Sequence, residues 1–326
     1  MKVVDMHCDT IGAIYEHNLQ GNSFNLKENK LHLDINKLIK GDYLLQNFAM
    51  FVDIKYYADP YKTLLEMIEC YHKEINLNSN VIRKVTSYND ILKNKENEKI
   101  SALLTIEDGG SLGSSLDNLK TVYDKGVRMI TLTWNYENGI GFPNFKSKTD
   151  FSTPNTIDGL TNFGKEFITY MDELGIIIDV SHLSDGGFYD VLKLTNKPFV
   201  ASHSNARSIT NVVRNMSDDM IRKLANRGGV LGINFCSNFV EPTPHNKKTF
   251  TKIDDLITHI KYIKNVGGID CIGLGSDFDG IPSTLEIEDG SHMPRLAEAL
   301  SKNGFTTNEI EKVFYKNVLN LYKELL

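Results

Sequence analysis

Cysteine is scarce in this 326-residue sequence. Cys8, Cys70, Cys236 and Cys271 are the only four, and no two form a C-x-x-C pair. In a chain of this length that argues against a disulfide framework and against a structural Cys₄ zinc site. A reducing compartment, the cytoplasm, is the expected home. No apolar run reaches about 18 residues, so no membrane span is expected. The opening Met1-Lys2-Val3-Val4-Asp5 brings charge at once, unlike a signal-peptide core, and the C-terminal helical stretch lacks the features of a lipid-anchor signal. Positive charge is not in surplus: 36 Lys and Arg stand against 42 Asp and Glu, with no basic face or tail. Duplex nucleic acid, whose affinity rests on neutralised phosphates, is therefore not an expected partner. Repeats of fixed period and linkers rich in Pro, Gly or Ser are also missing, so residues 1–326 are read as one domain.

What is present is a rhythm of short apolar runs. They are Val3–Met6, Leu44–Val52, Ser101–Ile106, Arg128–Thr133, Ile176–Val180, Pro198–Ala201, Val230–Phe235 and Cys271–Gly275. Runs of this length suit strands buried in a parallel sheet. The stretches between them read as helices. Asp59-Pro60 is an N-cap followed by proline at the first helical position, opening a face of Leu64, Met67, Ile68, Tyr71 and Ile75. Phe163, Phe167, Met171 and Leu174 share another face, closed by Gly175. Further helices start at Ser217, run through Leu256, Ile260 and Ile263 to Gly267-Gly268, and follow a capping box at Thr306-x-x-Glu309. Eight strand–helix alternations predict an α/β fold, a (β/α)₈ TIM-type barrel, with insertions after the first and fourth strands. The alternative is a doubly wound open sheet, but no G-x-G-x-x-G turn follows the first strand.

The polar residues fall at one relative point. The strands end in His7-Cys8-Asp9, Glu107, Trp134-Asn135, Ser181-His182, Ser202-His203-Ser204 and Ser276-Asp277. Active sites of barrels lie at the C-terminal strand ends. The strand period of two puts His7 and Asp9 on one face, where both reach one ion. Glu107 ends an apolar run, and its carboxylate has two oxygens with which to bridge two ions. Singly, His182 or His203 reads as readily as a core histidine, and Glu107 as a rim salt bridge. Together the five supply ligands for two metals, which can share a hydroxide and polarise a carbonyl. Asp277 is the candidate base, and Asp279 reads as a loop hydrogen-bonder. Arg214 could hold a substrate carboxylate or form a surface ion pair. His17, His32, His72, His245, His259 and His292 read as solvated or structural. Cys8 should face away from the ligands, Cys236 and Cys271 belong to the core, and the lysines near Lys93–Lys99 and at Lys247-Lys248 read as solvated surface.

At these residues the sequence resembles the membrane (renal) dipeptidase family of zinc peptidases, over Val4 to about Gly280. Asp5-Met6-His7-Cys8-Asp9-Thr10 looks like the family's H-x-D motif. Glu107-Asp108-Gly109-Gly110-Ser111-Leu112 is similar to its bridging-glutamate segment. Val180-Ser181-His182, Ala201-Ser202-His203-Ser204, Arg214-Asn215 and Gly275-Ser276-Asp277-Phe278-Asp279-Gly280 match later motifs in order. The resemblance implies a barrel that hydrolyses dipeptides, with two zinc ions per chain. His7 and Asp9 would hold the first ion, Glu107 would bridge, and His182 and His203 would hold the second. Asp277 would handle protons, Arg214 would bind the C-terminal carboxylate, and the chain would pair as a homodimer. In animal members a histidine ends the fourth strand and binds the substrate carbonyl. Here Thr131-Leu132-Thr133-Trp134 stands in that place, as in bacterial relatives. Indole has one donor and no basic nitrogen, so Trp134 and Asn135 are expected to contact substrate differently.

A zinc dipeptidase is the leading expectation, with acceptance of a C-terminal D-residue left open. The alternatives are a two-metal barrel hydrolase for another small amide, lactone or ester, and a metal-retaining barrel that binds without turnover. Nitrogen and oxygen ligands also admit manganese, iron or cobalt.

Overall fold

The computed structural model describes residues 1–145, 150–241 and 250–326. His245 and Lys247-Lys248 lie outside them. The strands are β1 (Val3–Asp5), β2 (Tyr43–Phe51), β3 (Ile82–Val85), β4 (Ile100–Glu107), β5 (Val127–Thr131), β6 (Ile177–Asp179), β7 (Val200–Ser204), β8 (Val230–Ile233), β9 (Phe250–Thr251), β10 (Ile272–Leu274) and β11 (Thr284–Leu285). Eight of them run parallel in the order β2-β1-β10-β8-β7-β6-β5-β4, and pairing of β2 with β4 closes the barrel. Each of the eight apolar runs contributes one barrel strand.

Strand period sorts the side chains. Val4, Leu45, Leu103, Met129, Ile177, Val200 and Val230 form one cluster with Val318, Leu321 and Tyr322 of the helix Asn317–Leu325. Their neighbours Leu104, Ile130, Ile178, Ala201 and Leu231 belong to the larger cluster shared with the surrounding helices. Fully burying an aliphatic or aromatic side chain of this kind is worth about 1.5–3 kcal/mol. The first cluster fills the barrel at its N-terminal end, and Tyr322 closes it, its hydroxyl 2.7 Å from Asn47 Nδ2. The same parity carries β4 from Leu103 through Thr105 to Glu107, so the carboxylate faces the barrel interior at the opposite end.

The helices start and stop where expected. Asp59 accepts from Lys62 N ahead of Pro60–Leu77, and Gly175 ends Asn162–Leu174 in the left-handed conformation (φ 78°). Two features depart from the sequence reading. β3 is an additional strand that pairs with the first half of β4, below the point where β5 joins the same edge. The helix opened by the Thr306–Glu309 capping box is not continuous either. A π-helical turn, Lys312–Lys316, separates Thr307–Glu311 from Asn317–Leu325 and packs beneath β1 and β10.

Candidate metal centre

Five residues expected as ligands meet at the C-terminal mouth of the barrel. Glu107 divides its oxygens between two groups. Oε2 lies 3.5 Å from His7 Nε2, which is itself 3.4 Å from Asp9 Oδ2. Oε1 lies 3.0 Å from His182 Nε2 and 3.4 Å from His203 Nε2. Asp277 Oδ1 completes the ring, 3.7 Å from His7 Nε2. Three overlapping triads result: His7, Asp9 and Glu107; Glu107, His182 and His203; and His7, His203 and Asp277. The His7 and His203 rings stack with centroids 3.8 Å apart.

The rings of His182 and His203 are held from behind, and so is the backbone of His7. Asp179, buried in β6, accepts from Ser202 Oγ at 2.5 Å and from the Ser181 and Ser202 amides at 3.0 and 2.8 Å. That hydroxyl has one proton, already directed to a carboxylate, so toward His203 Nδ1 at 2.7 Å it accepts. His203 therefore carries its proton on Nδ1 and presents a bare Nε2. Asn135 Oδ1, 3.0 Å from His182 Nδ1, fixes the same tautomer there. Asp5 plays the part of Asp179 on the other side, accepting from Ser276 Oγ at 2.6 Å and from the Ser276 and His7 amides. His182 and Asp277 have φ of 67° and 64°, the left-handed region that side chains with a Cβ seldom adopt.

The donor set fits metal ions. Among the described residues neither ring nitrogen of His7 has a hydrogen-bond partner, although both are buried, and Asp9 Oδ2 is likewise unsatisfied. Orphaned buried polar atoms are costly unless a cation meets them. Imidazole nitrogen with carboxylate oxygen is the donor chemistry of zinc. The electrostatics agree. Burial raises Asp9 to about 7, with Glu107 and Asp277 adding to the rise against the pull of His7. Burial works against ionised Glu107 too, but His7, His182 and His203 outweigh it and hold the carboxyl well below its ordinary range.

A cavity of about 560 Å³ opens over this cluster, lined by Asp9, Glu107, Asp277, Trp134, Asn135 and Phe51 among others. Trp134 forms its aromatic wall, with ring centroids 4.8 Å from Phe51 and 5.2 Å from Tyr136. Arg214 lies in an adjoining pocket of about 290 Å³, which shares His182, Asn135, Asn238 and Phe239 with the first. Its three guanidinium nitrogens are shut off from solvent and make no hydrogen bond among the described residues. The surface ion pair considered for Arg214 is thus not what the structure holds. Asp279 is a loop hydrogen-bonder, accepting from Thr10 Oγ1 and the His32 amide. Cys8 turns away from the ligands and donates to Asn47 O.

Sequence reasoning passed over Asn234, Asp5, Asp179 and Ser202 as working residues. Asn234 Nδ2 donates to Asp277 Oδ2 at 2.8 Å, while its Oδ1 accepts from Cys236 N and so fixes the amide. The available signal was a buried polar residue inside an otherwise apolar strand, as in Ile176-Ile177-Ile178-Asp179.

The model of the membrane dipeptidase family (peptidase family M19) matches residues 1–325. The chain belongs to this family. The family's class, metal-dependent dipeptidase, is therefore that of this chain. An uncharacterised dipeptidase of Schizosaccharomyces pombe is 33% identical, the alignment covering 99% of this chain and 80% of the relative. An uncharacterised Klebsiella pneumoniae protein is 30% identical over 82% of this chain and 98% of its own. Among solved structures, the dipeptidase AC superposes with a TM-score of 0.91 at 23% identity, covering 100% of this chain and 98% of that one. A metallopeptidase from Rhodobacter sphaeroides, bound to a phosphinate mimic of L-Ala-D-Ala, gives 0.90 at 22% identity over 100% and 99%. At these identities both speak to the fold alone.

Proposed function

We propose that this chain works as a single barrel domain with two zinc ions per chain. His7 and Asp9 would hold one, His182 and His203 the other, and Glu107 both. The observation that carries this is the split of the Glu107 carboxylate, one oxygen toward each histidine group. Bound there, the ions would supply Lewis acidity toward the scissile carbonyl and lower the pKa of water.

The chain's own residues do the rest. Arg214, whose guanidinium lies over the Phe239 ring and makes no hydrogen bond among the described residues, takes the C-terminal carboxylate of a dipeptide, which places the C-terminal residue in the smaller pocket. The N-terminal residue then lies along Trp134 over the metal ligands. Asp277 takes a proton from the attacking water at Oδ1 and returns it to the leaving amine, while Asn234 holds Oδ2. Burial raises the Asp277 carboxyl above its ordinary range, the direction a proton carrier needs. Trp134 packs against substrate and donates no second hydrogen bond. Asn135 acts through His182. Dipeptides with a C-terminal D-residue are included in the proposal, as is a homodimer.

Release of free amino acids from L–L and L–D dipeptides by the metal-loaded protein tests it. Asp277→Asn should lower kcat by about 10²–10⁴-fold with metal content unchanged. Undiminished turnover in Asp277→Asn or His7→Ala would remove the assigned roles.

A further inference from the structure

Two arginines in one loop have opposite surroundings. The loop after β7 is closed at its base by Arg207 N to Met216 O and Met216 N to Asn205 O, each 2.9 Å. Arg214 has no hydrogen-bond partner among the described residues. Arg207 makes four hydrogen bonds. Its Nη1 and Nη2 grip Asp185 Oδ2 and Oδ1 at 2.7 Å each, its Nε donates to Asn215 O at 2.8 Å, and Nη2 reaches Val213 O at 3.2 Å. These two carbonyls flank Arg214. Asn144, from the loop after β5, adds bonds from Nδ2 to Asp185 Oδ1 at 2.6 Å and to Val213 O at 2.8 Å. Ser204 Oγ takes the carbonyl between, Arg214 O, at 3.1 Å. Three consecutive carbonyls are thus fixed by side chains from two loops and the end of β7.

We infer that Arg207, Asp185 and Asn144 form a positioning clamp that presents the Arg214 guanidinium to the substrate carboxylate. This rests on the reading of Arg214 as the carboxylate binder. The physical need is plain. A buried guanidinium without a hydrogen-bond partner is pulled toward any internal carbonyl or carboxylate it can reach. A rigid backbone keeps it aimed into the pocket, where the incoming carboxylate meets a preorganised, bidentate donor. Arg207 is suited to the task because its planar fork bonds the Asp185 carboxylate and both flanking carbonyls at once. A lysine carries its three donors on one nitrogen and has no planar fork to span the carboxylate and both carbonyls.

The test compares L-Ala-L-Ala and L-Ala-D-Ala with their C-terminal amides, which lack the carboxylate. Arg207→Lys keeps the charge opposite Asp185 but loses the bonds to Val213 O and Asn215 O. It should raise KM for the dipeptides by about tenfold to a hundredfold, the usual cost of an ångström of misplacement. Turnover of the amides, kcat at saturating dipeptide and metal content should hold near wild type. Asn144→Ala leaves the ion pair intact and should shift the dipeptide KM in the same direction by less, so it reads the clamp even where Arg207→Lys folds poorly. Equal loss on dipeptides and amides, or no loss in either variant, overturns the clamp. Arg214→Ala keeps the two ideas apart. If it leaves the preference for dipeptide over amide intact, the reading of Arg214 fails. If it removes that preference while the clamp variants behave as wild type, only the clamp fails.

Discussion

The Nε2 atoms of His182 and His203 face each other across 3.1 Å. Asn135 and the Asp179–Ser202 pair put both ring protons on Nδ1, so two lone pairs point at one another. Such a pair is tolerable around a shared cation and repulsive without one. The buried hydrogen bonds at Nδ1 are thus part of the affinity for metal.

Removing those bonds should loosen the ion without touching a ligand. Ser202→Ala and Asn135→Ala are each expected to weaken metal binding by about 10–100-fold. Competition against a chromophoric chelator measures it. Affinity equal to wild type in both variants would mean that the ring orientation is set elsewhere.

Glycine is required where the loop after β10 passes the ligands. A Cβ on Gly280 would stand 2.2 Å from Asp9 Oδ2 and 2.7 Å from Asp277 Oδ1, whereas one on Gly275 would stand 1.8 Å from the backbone oxygen of Ser202. Gly280→Ala should lower kcat/KM by about 10²-fold through displaced carboxylates, with Tm close to wild type. Gly275→Ala should instead destabilise the fold by about 1–3 kcal/mol. Thermal melts beside dipeptide assays separate the two. Loss of Tm in Gly280→Ala would place its role in the fold.

His259 couples stability to pH away from the metal centre. It is fully buried, accepts from Ala206 N at 3.1 Å, and turns Nε2 to Val240 O at 3.1 Å. Burial lowers its pKa from 6.5 to about 4, against a smaller rise from the Val240 carbonyl. The folded value lies below the unfolded one, so on acidification the unfolded chain binds the proton first. The contribution is whole above pH 6.5 and is lost as pH falls toward 4, by about 3 kcal/mol for a shift of this size. Urea unfolding at pH 7 and pH 4.5 should show that His259→Gln loses less stability over this interval than the wild type. Equal losses would contradict the assignment.

The barrel was legible because its strands are buried on both faces and so read as apolar runs, and because all the ionisable strand ends fall at one mouth. Ile82–Val85 escaped for the opposite reason. Arg83 and Lys84 are exposed and interrupt the apolar signal, and the strand is defined only by its pairing with β4. The π-helical turn at Lys312–Lys316 is set by packing under the barrel, which helical periodicity does not encode. At the site, ligand types and spacing pointed to His7, Asp9, Glu107, His182 and His203, but the groups that orient them did not stand out. Ser202 gains its meaning only when β6 brings Asp179 to its hydroxyl, and Asn135, expected to contact substrate, orients His182 only because the fold brings that ring within 3.0 Å. Arg214 was ambiguous for the same reason: its lack of a hydrogen bond among the described residues is a property of the pocket.

Stepwise addition of Zn²⁺ to metal-stripped protein, with dipeptide hydrolysis followed at each point, tests the two-ion centre most directly. Activity should climb to a plateau at two equivalents per chain, and His182→Ala should bind no more than one with high affinity. Full activity at a single equivalent, or hydrolysis that survives complete stripping, would contradict a centre in which Glu107 serves two ions.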